Sequence, residues 1–496
     1  MALVIAIDAG TTGVRSFAVA PDGTSRGYAY REFPQHFPAP GWVEHDPRDI
    51  WEAVRTTLAE LTAALDEPVA AVGITDQRET LVAWDRRTGE PLHRAIVWQD
   101  RRTAGRCDEL RDAGHEPLVR RTTGLVLDPY FTATKAEWLL RHGGVDVGPD
   151  TALGTVDTWV LWNLTGGPAG GTFATEASNA SRTMLFDIGA LEWSSDLVEL
   201  FGVPLHTLPE VRPSSGRFGV TADGCGLAPG IPVSGIAGDQ QAALFGQACL
   251  EPGMTKSTYG TGSFVLMNVG EACPDPVDGL LTTVAWTLAD GTRAYALEGA
   301  IFVTGAAVQW LRDGLGLIEE AAEISDLAGR VPDSGGCVVV PAFTGLGSPW
   351  WDPYARGTVA GITRGTTRAH LARAVLESIA LQTRDVVTFM SECSGHPIRG
   401  LKADGGASAS DLLLQMQADH LGVPVSRPRI QETTALGAAY LAGLAEGVWS
   451  SPAEITANWQ LDTTFEPGGD PAALEAQQAL WARAVERARH WATDEG

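Results

Sequence analysis

The sequence contains only six cysteines, and none lies close to another along the chain. No Cys-x-x-Cys pair occurs, and no Cys/His cluster has the spacing of metal ligands. Zinc sites show such spacing, and dense disulfides are typical of short secreted chains. We therefore expect free thiols and a reducing, cytoplasmic location. The cysteines are Cys107, Cys225, Cys249, Cys273, Cys337 and Cys393.

Long hydrophobic runs and basic runs are also missing. The N-terminal apolar run, ALVIAI, ends at Asp8, and no run approaches the roughly 20 residues that cross a bilayer. Lys and Arg never form a run longer than a pair, and the formal net charge is -25. Faces that bind nucleic acid or anionic lipid are basic. We therefore expect neither membrane insertion nor a nucleic-acid partner.

The size of the chain predicts more than one core. It has 496 residues, of which 44% are hydrophobic and 20% charged, and this exceeds what one ordinary core accommodates. The 57 glycines and 29 prolines are scattered, so no disordered tail or long linker is expected. We predict two large domains, residues 1–247 and 248–496, with a cleft between them.

The order of the predicted elements is that of an α/β protein. Strands LVIAID and RSFAVA flank a Gly/Thr turn, a helix follows with Asp46 or Asp49 as its cap, and VAAVGITDQ is a buried strand. TKSTYGTGSFVLMNVG repeats the strand, Gly-Thr-Gly turn and strand in the second half. VGITDQ and SGIAGDQ also resemble each other. These similarities are short and chance remains an alternative, but they favour a duplicated α/β unit.

Three segments have the composition of nucleotide-binding loops, although the Walker motif and the protein-kinase motifs are absent. In DAGTTGVR, the turn offers consecutive N–H groups to an anion, and Asp8 offers a carboxylate to Mg²⁺. YGTGSF has the same design, and ADGGASAS places two glycines before a helix whose Leu412, Leu413, Met416 and Leu421 form its buried side. Each motif alone is equally compatible with an ordinary structural turn.

Longer motifs extend this pattern over nearly the whole chain: PGWVEHDP, GITDQRET, AIVWQDRRT, NASRTMLF, SGIAGDQQAALFGQ, YALEGAIFVTGAAVQWLRD and ETTALGAAYLAGLA. With them the sequence resembles the FGGY family of carbohydrate kinases, and within it the members that phosphorylate glycerol. The resemblance implies an α/β fold of two duplicated actin-like ATPase (ribonuclease H-like) domains with a central interdomain cleft.

The resemblance also implies roles for individual residues. Asp239 is expected to be the general base, and Asp8 a catalytic residue and the metal ligand. The positions that match the family's substrate site are Arg78, Glu79, Trp98, Tyr130, Asp239, Gln240 and Phe264. The positions that match its nucleotide site are Thr11, Thr12, Gly13, Arg15, Thr261, Gly305, Gln309, Gly406 and Ser410.

The activity implied is transfer of phosphate from Mg-ATP to glycerol, giving sn-glycerol 3-phosphate and ADP, by a homodimer or homotetramer. One alternative is the same transfer to another small polyol or a ketose. An alternative of a different class is a non-catalytic, actin-like nucleotide-binding regulator. The polyol residues argue against that regulator, because such a protein has no need of them.

The sequence departs from the family pattern at several places. Ala9 and Gly13-Val14 stand where Gln and a Ser pair are usual, so two potential phosphate donors are missing. A hydrogen bond to a charged group is worth about 1.5 to 3 kcal/mol, so slower turnover or weaker ATP retention is expected. Asp76 replaces the usual Asn and adds an acid near Arg78, which would tilt polyol preference, and Ser410 stands where an Asn often contacts adenine. Residues 221–232 contain no Arg or Lys, so inhibition by fructose 1,6-bisphosphate is not expected.

Overall fold

A computed structural model gives the structure of the protein and describes residues 2–492. The strands are β1 Leu3–Ala9, β2 Gly13–Val19, β3 Ser25–Glu32, β4 Glu44–His45, β5 Val69–Asp76, β6 Leu81–Asp85, β7 Ala95–Ile96, β8 Thr151–Thr155, β9 Ala174–Glu176, β10 Phe186–Asp187, β11 Glu192–Trp193, β12 Glu210–Arg212, β13 Ser215–Val220, β14 Pro232–Gly238, β15 Thr255–Tyr259, β16 Ser263–Gly270, β17 Leu281–Thr287, β18 Arg293–Ile301, β19 Val338–Val340, β20 Thr358–Ala360, β21 Leu401–Asp404, β22 Val425–Pro428 and β23 Leu461–Phe465.

The helices lie between and around these strands. They are α1 Pro47–Ala63, α2 Ala104–Asp112, α3 Glu116–Thr123, α4 Thr132–Arg141, α5 Val156–Leu164, α6 Ala177–Ala180, α7 Ser195–Phe201, α8 Asp239–Gly246, α9 Gly305–Gln309, α10 Glu323–Ala328, α11 Arg368–Ser394, α12 Asp411–Leu421, α13 Thr433–Ala445, α14 Pro452–Asn458 and α15 Pro471–Ala488. Short 3-10 turns occur at Gly167–Ala169, Leu205–Thr207 and Gly406–Ala409, and a π-helical turn at Trp310–Gly314.

Two large mixed sheets form the framework, and they have the same topology. The first has the order β3-β2-β1-β5-β14-β13, and the second contains the order β18-β16-β15-β21-β22-β23, with β17 added outside β18. In both, successive pairs are antiparallel, antiparallel, parallel, parallel and antiparallel. The hairpin β1–β2 therefore corresponds to β15–β16, and the predicted duplication is confirmed.

The resemblance between VGITDQ and SGIAGDQ has a different meaning from the one expected. These segments form β5 and β14, which are parallel neighbours within the first sheet. They do not mark the duplication, because equivalent strands of a duplicated unit would lie in different sheets. Their shared pattern instead places two acidic ends, Asp76 and Asp239, side by side.

Helix α13 shows that chain order and packing do not divide the molecule at the same place. It belongs to the second half of the sequence, yet it packs against β1, β5, β14 and α8. Small residues permit this close approach, since a Cβ on Gly437 would overlap the Ala242 carbonyl and one on Gly73 the Ala438 carbonyl. The boundary between residues 247 and 248 remains a prediction.

Local predictions agree with the structure at most positions. Asp46 caps α1 by accepting a hydrogen bond from the Arg48 N–H at 2.9 Å. On α12 the prediction is partly wrong, because Leu414 is buried whereas Leu412 and Leu421 are half-buried.

All six cysteines are free thiols. Within residues 2–492, no helix has both the length and the apolar character needed to span a membrane.

Candidate active site

Three carboxylates meet at one edge of the first sheet. Asp8 lies near the end of β1, Asp76 ends β5, and Asp239 directly follows β14 as the first residue of α8. The three strands are parallel, with Ala9 and Gly238 both in register with Asp76. Ligand sites of parallel sheets lie outside the carboxyl ends of the strands, so this edge is the natural place for one.

The carboxyl group of Asp8 fits a magnesium ligand. Burial and the neighbouring Asp239 raise the pKa of Asp8 to about 7, and Arg15 opposes the shift. A cation beside this carboxyl would relieve the repulsion between the two acids. Among residues 2–492 no group of three His, Cys, Asp or Glu side chains could hold a metal ion. Mg²⁺ needs only one or two carboxylates, because water and phosphate oxygens complete its coordination.

Arg78 is held in one orientation by a ring of partners. Its Nε lies 3.1 Å from Asp239 Oδ1, and its two terminal nitrogens contact both oxygens of Glu298 at 2.5 and 3.2 Å. One terminal nitrogen also donates to Tyr130 Oη and the other to Gln241 Oε1, each at 3.2 Å. The fork of the guanidinium is thus occupied on every side, which fixes its position beside the proposed base.

A second buried arginine, Arg182, completes the network. It donates to Glu79 Oε1 at 2.7 Å and to Glu298 Oε1 at 2.8 Å. Although burial opposes it, the pair Arg182 and Arg78 lowers the pKa of Glu298 to about 2. Sequence reasoning assigned no role to Arg182 or Glu298. Both lie in motifs that carried the resemblance, NASRTMLF and YALEGAIF, and a glutamate within the otherwise apolar strand β18 was the available signal.

A buried lysine orients Gln240. Lys256 Nζ donates to Gln240 Oε1 and, at 2.9 Å, to Thr258 Oγ1. An ammonium group has donors only, so it holds the carbonyl oxygen of the amide and leaves the NH₂ group for another partner. Burial lowers the pKa of Lys256 to about 8, against the attraction of Asp404 and Asp239. This residue too was missed at the sequence level.

The predicted apolar walls lie beside these polar groups. The Phe264 ring is 5.9 Å from the guanidinium carbon of Arg78, and the Trp98 and Tyr130 rings are 5.6 Å apart. Trp98 Nε1 also donates to Thr11 Oγ1 at 2.9 Å. The structure therefore brings all the predicted substrate residues together and connects them to the first phosphate loop.

The two predicted phosphate loops, 10–13 and 260–262, close in the same way. In each, the N–H of the first glycine donates to the carbonyl of the last, at 3.0 and 2.8 Å. The N–H groups of Thr11, Thr12 and Thr261 have no hydrogen-bond partner among the described residues. Unpaired N–H groups in a tight turn form an anion-binding concavity, which suits phosphate oxygens.

The predicted adenosine region lies next to the second loop. The Gly305 N–H donates to the first glycine of that loop at 3.0 Å, and Gln309 is exposed at the end of the same short helix, α9. Gly405, with φ of 84°, packs so closely on Tyr259 that a Cβ would lie 2.6 Å from its carbonyl oxygen. Gly406 has open space in front of it. These features leave a flat backbone surface for a base.

Ser410 has a structural role that the sequence did not indicate. It is the N-cap of α12, where its hydroxyl accepts from the Leu413 N–H at 3.2 Å and pairs with Ser325 Oγ at 2.7 Å. Its contact with a nucleotide base remains a prediction.

Contacts through α13 connect the first phosphate loop to the adenosine region. Arg15 forms an ion pair with Glu432, the residue that directly precedes α13. The next residue, Thr433, donates to Asp404 Oδ2 at 2.5 Å, and Asp404 ends the strand that leads into Gly405 and Gly406. Predicted nucleotide residues from both halves of the chain are therefore connected through the start of α13.

Two family models match the sequence. The N-terminal domain of the FGGY family of carbohydrate kinases matches residues 3–246, and the C-terminal domain matches residues 255–446. The chain belongs to the FGGY family of carbohydrate kinases. The resemblance inferred from the motifs is confirmed, and so is the actin-like fold.

Individual relatives of this FGGY kinase match over almost their whole length. The glycerol kinase of Carboxydothermus hydrogenoformans is 53% identical over 501 residues, which covers 99% of both chains. The structure of Plasmodium falciparum glycerol kinase with ADP has a TM-score of 0.91 at 32% identity and covers 98% of each chain. The xylulose kinase from Rhodospirillum rubrum has a TM-score of 0.85 at 26% identity, again over 98% of each chain.

Asp76 of this FGGY kinase ends β5, two residues before the predicted substrate residue Arg78. It is fully buried, and its Oδ2 accepts from the Asp157 N–H at 3.2 Å. Burial and the Asp157 carboxylate raise the pKa of Asp76 well above its usual 3.8. The carboxylates within 4 Å of Arg78 are Glu79, Asp239 and Glu298. Asp76 is not among them, so the expected direct effect on Arg78 has no geometric support.

We expect the Asp76→Asn variant to be more stable than the wild type at pH 8 by about 1 kcal/mol or more. At pH 5 we expect this advantage to be smaller. The folded state binds the Asp76 proton more tightly than the unfolded state, so stability is lost as pH rises from about 4 through the raised pKa. Asparagine removes that loss. Urea unfolding at pH 5 and at pH 8 measures the difference in the free energy of unfolding between the variant and the wild type. A variant that is no more stable than the wild type at pH 8 would contradict the raised pKa of Asp76. The exposed Asp290→Asn variant is the control.

Proposed function

We propose that this FGGY kinase transfers the γ-phosphoryl group of ATP to glycerol and forms sn-glycerol 3-phosphate and ADP. The main support is the cluster of Arg78, Tyr130 and Asp239, which Trp98 connects to loop 10–13 through its contacts with Tyr130 and Thr11. The sequence is also 53% identical to a glycerol kinase over nearly the full length of both chains, which supports the same substrate.

In the proposed reaction Asp239 acts as the general base. Its side chain is 33% exposed, so one side of the carboxylate is open to the cleft while Arg78 and the Gln240 N–H hold the other. As the substrate oxygen bonds to the γ-phosphorus, the bond from phosphorus to the ADP oxygen breaks and the hydroxyl proton passes to Asp239. The surrounding contacts fix the base at the position where that proton is released.

Phosphate binding is assigned to both loops. The N–H groups of Thr11, Thr12 and Thr261 and the guanidinium of Arg15 would contact phosphate oxygens. Asp8 would hold the Mg²⁺ of the nucleotide, which supplies neutralisation of charge on the phosphate groups. The base and ribose would lie along Gly305, Gln309, Gly406 and Ser410. Closure of the cleft would exclude water, which otherwise competes as phosphoryl acceptor.

Substrate choice follows from the fixed polar groups. Glu79 and Asp239 would accept hydrogen bonds and the NH₂ of Gln240 would donate them, while Trp98 and Phe264 cover the carbon edge. Arg78 would act by holding Asp239 and Tyr130 in place, because its own N–H groups are engaged by protein partners. A site of this kind rejects a molecule that leaves its buried polar groups unpaired. The second candidate is a larger polyol or a ketose, which similarity to a xylulose kinase favours. A non-catalytic regulator would have no use for these groups.

The proposal extends to the location and the assembly of the enzyme. We place the enzyme in the cytoplasm, where ATP, Mg²⁺ and reduced thiols coexist, as a homodimer or homotetramer. Insensitivity to fructose 1,6-bisphosphate remains a prediction from residues 221–232.

The substrate assignment is tested by ATP-dependent phosphorylation of glycerol, dihydroxyacetone, erythritol, xylulose and ribulose under identical conditions. We expect glycerol to lead by at least about tenfold in kcat/KM, which corresponds to roughly 1.4 kcal/mol. A ketose in first place would overturn glycerol but keep the kinase chemistry. Loss of all activity would favour the regulator. An Asp239→Asn preparation purified in parallel measures the background from contaminating kinases.

A further inference from the structure

Gly13 lacks the hydroxyl that family members usually carry in the first phosphate loop, and a neighbouring side chain fills the space. Gly13 begins β2, and the paired strand β3 carries Tyr30 opposite Arg15. A Cβ on Gly13 would lie 2.5 Å from the Arg31 carbonyl oxygen, 2.7 Å from Tyr30 Oη and 2.9 Å from Tyr30 Cε2. The backbone of β3 and the phenol of Tyr30 together therefore occupy the space that a serine side chain would need.

The remaining contacts of Tyr30 are also with the phosphate-binding segment. Its hydroxyl lies 3.5 Å from Thr12 Oγ1, and its ring centroid is 5.6 Å from the guanidinium carbon of Arg15. The side chain is 39% exposed, so the hydroxyl retains an open side. The unpaired N–H groups of Thr11 and Thr12 lie in the same loop.

We propose that Tyr30 is a nucleotide-binding residue whose hydroxyl donates to an ATP phosphate oxygen in place of the hydroxyl that Gly13 lacks. The inference rests on the proposed function only in taking ATP as the donor. A phenol is a good donor to an anionic oxygen, and such charge-assisted hydrogen bonds are shorter and stronger than neutral ones. Contact with the Tyr30 ring also keeps Arg15 beside the same phosphate group.

The same strand provides a matched control. Tyr28 also faces Arg15, with its ring 5.4 Å from the guanidinium carbon, but it pairs with Phe17 and lies farther from loop 10–13. Its side chain is 62% exposed. A tyrosine to phenylalanine change at either position keeps the ring and removes only the hydroxyl, so a difference between the two variants reports on the position of the hydroxyl.

The experiment compares Tyr30→Phe and Tyr28→Phe with the wild type. We expect Tyr30→Phe to lower kcat/KM for ATP about tenfold and to weaken binding of a non-hydrolysable ATP analogue, measured by calorimetry, by a similar factor. KM for glycerol and the melting temperature should not change. Tyr28→Phe should match the wild type in every measurement.

Two outcomes would overturn the proposal. If Tyr30→Phe binds the analogue as the wild type does, the hydroxyl makes no phosphate contact. If it lowers kcat for both substrates with no change in analogue affinity, its role is structural. The proposed function fails separately: a wild type that phosphorylates no polyol, but whose analogue affinity still depends on Tyr30, would refute glycerol phosphorylation and keep the nucleotide contact.

Discussion

Replacing Asp239 by asparagine is expected to lower kcat for glycerol phosphorylation by a factor of about 10² to 10⁴. The amide keeps the shape of the side chain but cannot accept the hydroxyl proton as the new bond to phosphorus forms. Binding should change far less, because Arg78, Gln240 and Tyr130 retain their places. Steady-state kinetics and calorimetric titration with glycerol separate the two quantities.

The control for this variant is an aspartate that also pairs with an arginine but lies on the surface. Asp313 contacts Arg312 at 2.7 Å and is exposed, so Asp313→Asn should retain wild-type turnover. If Asp239→Asn retained turnover within tenfold of the wild type while binding glycerol normally, Asp239 would not be the base.

Glu298→Gln is expected to raise KM for glycerol at least about tenfold and to reduce the free energy of unfolding by about 3 to 5 kcal/mol. The carboxylate balances two buried guanidinium groups, those of Arg78 and Arg182. Without the Glu298 carboxylate, Arg78 loses its bidentate partner and shifts toward Asp239. KM for ATP should hardly change. Substrate kinetics and urea unfolding measure the two effects.

Another buried carboxylate provides the matched control. Glu137 holds Arg106 and Arg141, each at 2.9 Å, on α4 and outside the polyol cluster. Glu137→Gln should therefore lose stability without any change in KM for glycerol. Equal KM values for wild type and Glu298→Gln would show that Arg78 keeps its position without Glu298.

The pH dependence of Glu298 has a defined sign. Its folded-state pKa of about 2 lies below its usual 4.5, so the stabilisation is fully present above about pH 4.5 and is lost as pH falls toward 2. The Gln variant should lack this part of the acid transition. The Glu298 carboxylate therefore stays ionised at neutral pH.

Short-range features of the fold could be predicted well from the sequence. The β1–β2 and β15–β16 hairpins were recognised because alternating apolar residues and a Gly-Thr turn are local signals. The α1 cap at Asp46 is equally local. By contrast, the similarity of VGITDQ and SGIAGDQ was a wrong indication of the duplicated unit. Both are parallel strands of one sheet, and the partners of a strand lie far away in sequence.

The candidate site shows the same difference between local features, which could be predicted, and long-range contacts, which could not. The predicted phosphate loops and substrate residues carry motifs that could be recognised, and the structure brings the substrate residues together beside the first loop. Glu298, Arg182 and Lys256 were missed because a buried charge has meaning only through its partners. Arg182 and Arg78, the partners of Glu298, lie 116 and 220 residues away from it in the sequence.

The sequence by itself determined a duplicated α/β pattern with two Gly-Thr turns, because strand periodicity and turn composition act over a few residues. Its longer motifs identified the kinase family by resemblance. Only the tertiary structure decided that α13 crosses onto the first sheet, that Glu298 from the second half balances Arg78 from the first, and that Tyr30 fills the space beside Gly13. These arrangements depend on packing and charge balance between distant segments, which no local pattern encodes.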